Sequence, residues 1–320
     1  MNLIIVDSDA EYIKDKLTPK FPQVDIQAYH SEDEAGDAME KADILLTKMI
    51  SDELMQRGKN LKWIQCLITG VDYLVNLPSF KKDVILTSTR GIHGPQMSES
   101  AILLMLALNR NFPMNIRNQD QRVWQRWPTR LLYQKSVGIL GVGVIGQEIA
   151  RKCNAFGMTV YGLTSIKREI EFVDHSYGPE GLINVLREVD YFINVIPSTP
   201  QTINMIGEEE LASMKPTAYY ISIGRGDTVD EAALIRALEE KKIAGAAMDV
   251  FFTEPLPPDS PLWGMENVII TPHIGGMSDI YADQALPIFE ENLRRYLRGE
   301  RRNLINFIES IRTENRNERR

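Results

Sequence analysis

Short apolar runs alternate along this chain with amphipathic stretches, and the alternation predicts most of the fold. LIIV (3–6), VDIQAY (24–29), ADILLT (42–47), WIQCLIT (63–69) and VILTST (84–89) read as strands. The stretches between them, Glu32–Lys41 and Asp52–Gly58 among these, read as helices. Strands spaced by helical segments indicate a parallel sheet covered on both faces. A second series starts at Ser136: SVGILG (136–141), MTVYGLT (158–164), YFINVIP (191–197), AYYISIG (218–224), AGAAMDV (244–250) and NVIITP (267–272). Helical stretches at Gln147–Phe156, Gly181–Val189, Gly207–Met214 and Glu231–Lys241 separate these runs. Six strands with crossover helices match a doubly wound dinucleotide fold.

Between the two series, SESAILLMLALNR within Met97–Arg110 is apolar nearly all round. Such a helix is buried, here between domains or between subunits. Gly94 and Pro95 precede it, and Ser98 or a neighbour serves as its N-cap. The polar stretch NIRNQDQRVWQRWPTR follows. A long helix over Asp279–Arg298 is placed to lead the chain back to the first domain, and TENRNERR (313–320) reads as a solvated tail.

Composition narrows the function more than the fold. A length of 320 residues suits two domains, and 43% hydrophobic with 25% charged residues is ordinary for a soluble protein. A net charge of -8 argues against nucleic acid or an anionic membrane as partner, while leaving room for a local basic pocket that takes a small anion. No apolar run approaches the roughly 20 residues of a membrane span. The opening MNLIIVDSDAEY lacks a basic segment and reads as a buried strand rather than a signal peptide. The only cysteines, Cys66 and Cys153, show no ligand spacing, so no metal is expected. They suit small core positions in a reducing cytoplasm.

The stretch ILGVGVIGQEIA (139–150) carries the strongest chemical signal. Gly141, Gly143 and Gly146 fit G-x-G-x-x-G between a strand and a helix, with Val144 and Ile145 in the same phosphate-facing turn. The first glycine permits the turn, the second admits the pyrophosphate to the backbone, and the third packs helix on strand. An NAD site places a carboxylate at the end of the second strand to bond the ribose 2′-hydroxyl. Here that end holds Thr164 and Ser165, with Lys167 and Arg168 close behind. Hydroxyls and cations suit a 2′-phosphate, so NADP(H) is favoured over NAD; the alternative is that Lys167 and Arg168 are solvated loop charges.

Three ionisable residues fall at strand ends downstream: Arg225 in ISIGRGDTVDE, Glu254 in DVFFTEP and His273 in TPHIGG. Each suits a step of ketone reduction. A protonated His donates to the carbonyl oxygen as hydride arrives at carbon. A carboxylate partner raises its pKa and sets its tautomer. An Arg presents a planar fork to the carboxylate and carbonyl of a 2-keto acid. Taken singly, each has a plainer reading as a cap, a strand end or a turn carboxylate.

Together these segments resemble the D-isomer-specific 2-hydroxyacid dehydrogenase family over nearly the whole chain. The similarity runs through TGVDYL (69–74), GVGVIG (141–146), IPSTPQT (196–202), MKPTAYYISIGRGDTVDEAAL (214–234), AMDVFFTEPLPPDSPLW (247–263) and TPHIGG (271–276). The resemblance implies an α/β architecture of two doubly wound parallel-sheet domains, flavodoxin-like and Rossmann, with the active site in the cleft between them. It implies a discontinuous substrate domain, 1–98 plus 287–320, around a dinucleotide domain at 99–286, and a homodimer built on the helix at 98–110. It makes His273 the acid/base, Glu254 its partner and Arg225 the substrate-binding cation. Asp249 would bond the nicotinamide carboxamide, Pro197, Ser198 and Thr202 would line the adenosine and pyrophosphate side, and Ile223 and Gly224 the nicotinamide ribose. Gly275 and Gly276 count among the cofactor contacts, and Thr69, Gly70 and Val71 among the substrate contacts.

The stretch RGIHGPQMSE (90–99) is similar to the glyoxylate/hydroxypyruvate-reductase branch, many of whose members use NADPH. That similarity adds His93 and Met97, with Trp124, to the substrate pocket; Thr47, Lys48, Tyr73 and Leu74 are further pocket candidates. Two other readings stay open: a cofactor-sensing corepressor of the same fold, and an NAD-dependent dehydrogenase that oxidises a D-hydroxy acid.

Overall fold

The computed structural model describes residues 1–308, so the TENRNERR tail lies outside the described residues. Its contacts divide the chain into two compact units, Met1–Ile92 with the chain from Asp279 onward, and His93–Ser278. The sequence reading placed these junctions a few residues later, at 98/99 and 286/287.

In the first unit, β1 (Asn2–Val6), α1 (Ala10–Leu17), β2 (Asp25–Tyr29), α2 (Glu32–Ala35), β3 (Ile44–Thr47), α3 (Asp52–Arg57), β4 (Trp63–Cys66), α4 (Asp72–Val75) and β5 (Ile85–Ser88) follow in order. The strands form one parallel sheet, β2-β1-β3-β4-β5. Leu3, Ile5, Ile44, Leu46 and Trp63 enter one core layer, while Ile4, Leu45, Ile64 and Cys66 enter the opposite one. Side chains of a strand alternate between faces, so a sheet covered on both sides reads as a continuous apolar run.

Two expected elements are interrupted here. The helix expected over Glu32–Lys41 stops at Ala35 and resumes as a 3-10 turn over Ala38–Lys41. The strand expected over 63–69 ends at Cys66. Beyond it the Leu67 carbonyl accepts from Thr89 Oγ1 at 2.5 Å and Tyr281 Oη at 2.6 Å, which turns Thr69–Val71 out of the ladder.

The second unit opens with α5 (Gly94–Asn109) and α6 (Phe112–Asp120), separated by Asn111 in the left-handed region, φ 51°. Then come β6 (Ser136–Leu140), α7 (Val144–Ala155), β7 (Thr159–Leu163), β8 (His175–Tyr177), α8 (Leu182–Glu188), β9 (Tyr191–Asn194), α9 (Glu208–Ser213), β10 (Tyr219–Ser222), α10 (Glu231–Glu239), β11 (Gly245–Met248) and β12 (Val268–Ile270). The parallel sheet runs β12-β11-β10-β9-β6-β7-β8. It has one strand more than the six expected. The extra one, β8, is a three-residue edge strand of His, Ser and Tyr, too short and polar to show as an apolar run. Pro95 sits in the first turn of α5 and His93 is its N-cap; Ser98, expected as the cap, donates instead to the Pro95 carbonyl at 2.8 Å. Helix α5 buries Ala101, Leu104 and Met105 in the core of its own unit and leaves Leu103 63% exposed, so it is covered on one face rather than all round.

After Ser278 the chain rejoins the first unit as α11 (Tyr281–Leu297). Its Ala285, Phe289 and Leu293 pack beside Leu3 and Ile13. Trp63, 0% exposed, stacks on Tyr296 at 5.0 Å and meets Phe289 at 5.4 Å, and its indole donates to Thr87 Oγ1 at 2.8 Å. Asn292 reaches Gln65 Oε1 at 3.1 Å and exchanges hydrogen bonds with the Ile305 backbone. Trp63→Ala removes this seat and is expected to destabilise the first unit by about 3–5 kcal/mol, measured as a shift in the urea midpoint with an unchanged m-value.

Candidate active site

Strand β6 lies between β9 and β7, where the chain order of the second sheet reverses. The crevice at such a reversal is where open α/β sheets bind ligands. The glycine turn leaves β6 at this point. Gly141 has φ 103°, open to a residue without Cβ. A Cβ on Gly146 would lie 2.4 Å from the Gly141 carbonyl oxygen, so helix and turn are in contact there. A Cβ on Gly143 would meet nothing within 4 Å. Space is thus left open at the second glycine and closed at the third, as a backbone cradle for a pyrophosphate requires. Gly143 is the N-cap of α7, Val144 and Ile145 begin the helix, and no acidic residue stands in its first turn. The free N–H groups there favour an anion.

At the end of β7, Thr164 Oγ1 donates to the Ile166 carbonyl at 2.8 Å and closes a turn. Ser165 and Lys167 are exposed. Arg168 reaches back to the Val142 carbonyl at 3.4 Å, which places a guanidinium against the glycine turn. Its sequence neighbour Lys167 has no such anchor, and nothing in sequence distinguished the two.

The loops after β10, β11 and β12 bring together Arg225, Glu254 and His273, far apart in sequence. His273 Nδ1 lies 2.7 Å from Glu254 Oε2, and Glu254 Oε1 accepts from the Phe251 N–H at 2.9 Å. The hydrogen bond to Glu254 raises the His273 pKa above its ordinary value, against burial and the nearby Arg225 charge, which lower it. Burial pushes the Glu254 carboxyl up, yet the bonds from His273 and Phe251 hold it below the usual carboxylate range. Both side chains remain partly open, at 47% for His273 and 35% for Glu254.

Asp249 organises the loop that carries the histidine. It is 1% exposed, and its carboxylate accepts from Thr271 Oγ1 at 2.6 Å, Ile274 N at 3.0 Å and Gly275 N at 2.9 Å. His273 between these anchors has φ 52°, a region disfavoured for a residue with a Cβ. From α5, Gln96 and Ser100 donate to the Gly276 and Gly275 carbonyls at 3.4 and 3.2 Å. Sequence reading passed over Thr271, Gln96 and Ser100. The signal for the last two was there: polar residues four apart face one way on a helix.

His93 and Met97 belong to the same cluster: Cβ atoms on Gly275 and Gly276 would stand 3.5 and 3.7 Å from Met97 Sδ, and one on Gly276 3.4 Å from His93 Cδ2. Burial, with the Arg225 charge second, pushes the His93 pKa down to about 4, so it is neutral at pH 7. Of the expected cofactor positions after β9, Pro197 is exposed and Ser198 and Thr202 are half-buried. Ser198 donates to Asp227 Oδ2 at 2.5 Å, Thr202 donates to the Pro197 carbonyl at 2.8 Å, and Ile223 and Gly224 are buried. Thr69, Gly70 and Val71 lie in the first unit, in the half-buried turn between β4 and α4.

Comparison with known proteins shows the family. The model of the D-isomer specific 2-hydroxyacid dehydrogenase NAD binding domain matches residues 102–275, more than half of the chain. The chain belongs to the D-isomer specific 2-hydroxyacid dehydrogenase family. It is 34% identical over 269 residues to a glyoxylate reductase of Korarchaeum cryptofilum, covering 80% of this chain and 79% of that protein. A family protein from Aeromonas salmonicida superposes with a TM-score of 0.88 at 33% identity, covering 96% and 98% of the two chains. A second, from Xanthobacter autotrophicus in complex with NADPH and MES, gives 0.80 at 30% identity, covering 96% and 97%. Membership makes the chain an NAD(P)-dependent oxidoreductase of 2-hydroxy acids, and the open Gly143 and closed Gly146 fit that dinucleotide. Among the described residues, no group of His, Cys, Asp and Glu could hold a metal ion, and no helix is long and apolar enough to cross a membrane.

The two glycines separate in a stability measurement. Gly146→Ala drives a methyl into the Gly141 carbonyl and is expected to cost about 1–3 kcal/mol, whereas Gly143→Ala is expected to melt within a degree or two of wild type. Thermal unfolding without added cofactor reads both.

Proposed function

We propose that this protein reduces small 2-keto acids with NADPH, His273 acting as the acid/base, Glu254 as its partner and Arg225 as the substrate-binding cation. The 2.7 Å contact between His273 Nδ1 and Glu254 Oε2 carries the reading. It commits one ring nitrogen to the carboxylate and leaves Nε2 to donate a proton to the substrate oxygen. The reduced nicotinamide supplies the hydride. Arg225 offers its fork to the substrate carboxylate and carbonyl. The backbone N–H groups of Gly70 and Val71 hold that carboxylate within the same proposal, as part of a substrate domain formed by the first unit.

NADP(H) is the proposed cofactor because no carboxylate stands at the end of β7. Thr164, Ser165, Lys167 and the anchored Arg168 stand there instead. The NADPH complex of the Xanthobacter relative supports this choice. A homodimer belongs to the proposal too: Leu103 on α5, Phe112 on α6 and Trp124 beyond it are 63%, 53% and 88% exposed, apolar side chains that a second copy would cover. The two unpaired, buried cysteines suit a cytoplasmic setting.

His273→Ala is expected to lower kcat/KM for 2-keto acid reduction by roughly 100-fold or more with NADPH affinity retained in fluorescence titration; near-normal turnover would overturn the role. The acid form of His273 is the one that donates, so reduction fails as pH rises through its raised pKa. Glu254→Gln removes the main cause of that elevation, and the basic limb of the pH profile is expected to move to lower pH. For the cofactor, Arg168→Ala is expected to cut the NADPH-to-NADH ratio of kcat/KM by roughly tenfold, the scale of one lost charge-assisted bond; a wild-type preference for NADH would sink the NADP(H) reading.

A further inference from the structure

The proposed chemistry leaves Asp227 unused, two residues beyond Arg225. Its carboxylate is half-buried, and Oδ2 accepts from Ser198 Oγ at 2.5 Å. Among the described residues this is its one side-chain hydrogen bond, while Oδ1 is buried without a partner. An oxygen in that position forfeits its hydration for nothing in return, which costs stability. A neutral acceptor would hold Ser198 at less cost, but a carboxylate holds a hydroxyl more strongly.

The loop that this bond holds follows β9 and starts against the glycine turn. Val195 N donates to the Leu140 carbonyl at 3.0 Å, and a Cβ on Gly141 would stand 2.9 Å from Ile196 Cγ2. On its other side the loop meets the segment after β10, where a Cβ on Gly224 would stand 2.5 Å from the Ile196 carbonyl oxygen. Past Ser198 it closes on itself: Thr202 Oγ1 accepts from the Thr199 N–H at 2.8 Å and donates to the Pro197 carbonyl at 2.8 Å. It rejoins the Arg225 segment at Asn204 and Ile206, whose N–H groups donate to the Asp227 and Thr228 carbonyls at 2.8 and 3.1 Å. Between Ile196 and Asn204, the Ser198–Asp227 bond is the one hydrogen bond that joins the two segments among the described residues.

We propose that Asp227 is a positioning residue for the cofactor, setting through Ser198 the wall that the Pro197–Thr202 loop forms beside the glycine turn. The inference rests on the proposed dinucleotide dependence and on the expected place of that loop at the adenosine and pyrophosphate. A carboxylate in direct contact with a pyrophosphate would repel it, so the acid acts at one remove, through the serine. The unmatched Oδ1 is then the cost of a stiff loop. Removing the charge relieves that cost, so cofactor affinity falls without a matching fall in stability.

The test titrates the full-length protein with NADPH and NADH by fluorescence and melts it without cofactor. Asp227→Ala is expected to raise the cofactor Kd by roughly tenfold, the scale of one lost charge-assisted bond, with the melting temperature held or raised. Asp227→Asn keeps an acceptor for Ser198 and is expected to restore most of the affinity. Ser198→Ala removes the same bond from the other side and serves should Asp227→Ala fail to fold. Two residues that act through one bond do not add, so the double variant is expected to bind no worse than the weaker single one. A Kd unchanged in the alanine variants, an Asn variant as weak as Ala, or losses that add in the double variant would each overturn the proposal. So would a lowered melting temperature with affinity intact, which marks a purely structural tie. A wild type that binds neither cofactor would instead defeat the dinucleotide reading beneath it.

Discussion

In a sheet whose strands all run parallel, every loop that leaves a strand emerges at the same edge, and the candidate site depends on that constraint. The glycine turn follows β6, the Thr164–Arg168 segment follows β7, and the Pro197–Thr202 loop follows β9. Arg225, Glu254 and His273 follow β10, β11 and β12. Six segments separated by crossover helices therefore share one edge without any of them being sequence neighbours. The first sheet obeys the same rule, which is why Asp7, Lys48 and the Thr69–Val71 turn lie along one edge of it.

Topology brings loops to an edge but does not orient side chains. In the second unit that task falls to buried polar groups. Asp249 spends its carboxylate on the loop carrying His273, holding a residue at φ 52° that local preference would place elsewhere. Gln96 and Ser100 brace the following glycines from the opposite side. Glu254, whose carboxylate lies on His273 Nδ1, is itself fixed by the Phe251 N–H. Proton-transfer groups work only when such supporting bonds keep them in place.

Charge is distributed to opposing ends at this edge. Burial lowers the pKa of both histidines and the Arg225 charge adds to it, yet at His273 the hydrogen bond to Glu254 outweighs them. His93, its pKa pushed down to about 4 chiefly by burial, stays neutral at pH 7. The pKa values of two imidazoles in one cluster are thereby driven apart, one raised by its carboxylate partner and the other lowered. Burial and one carboxylate account for the difference.

Much was legible from residue pattern alone. Apolar runs marked eleven of the twelve strands because a doubly covered parallel sheet buries both faces of each strand. The glycine spacing located the tight turn from strand to helix because backbone conformation at Gly141 and packing at Gly146 leave few other residues possible. The position of an Arg, a Glu and a His in the loops after strands was also readable. The strand β8 and the early end of β4 were not, since a polar edge strand has no apolar period and the Leu67 carbonyl is claimed by hydroxyls from Thr89 and Tyr281, one of them over two hundred residues away. Which cation anchors on the glycine turn, which carboxylate supports the histidine loop and which histidine is neutral were settled by distance and burial. Those quantities exist only once distant segments have been packed together, so no local pattern in the chain could carry them.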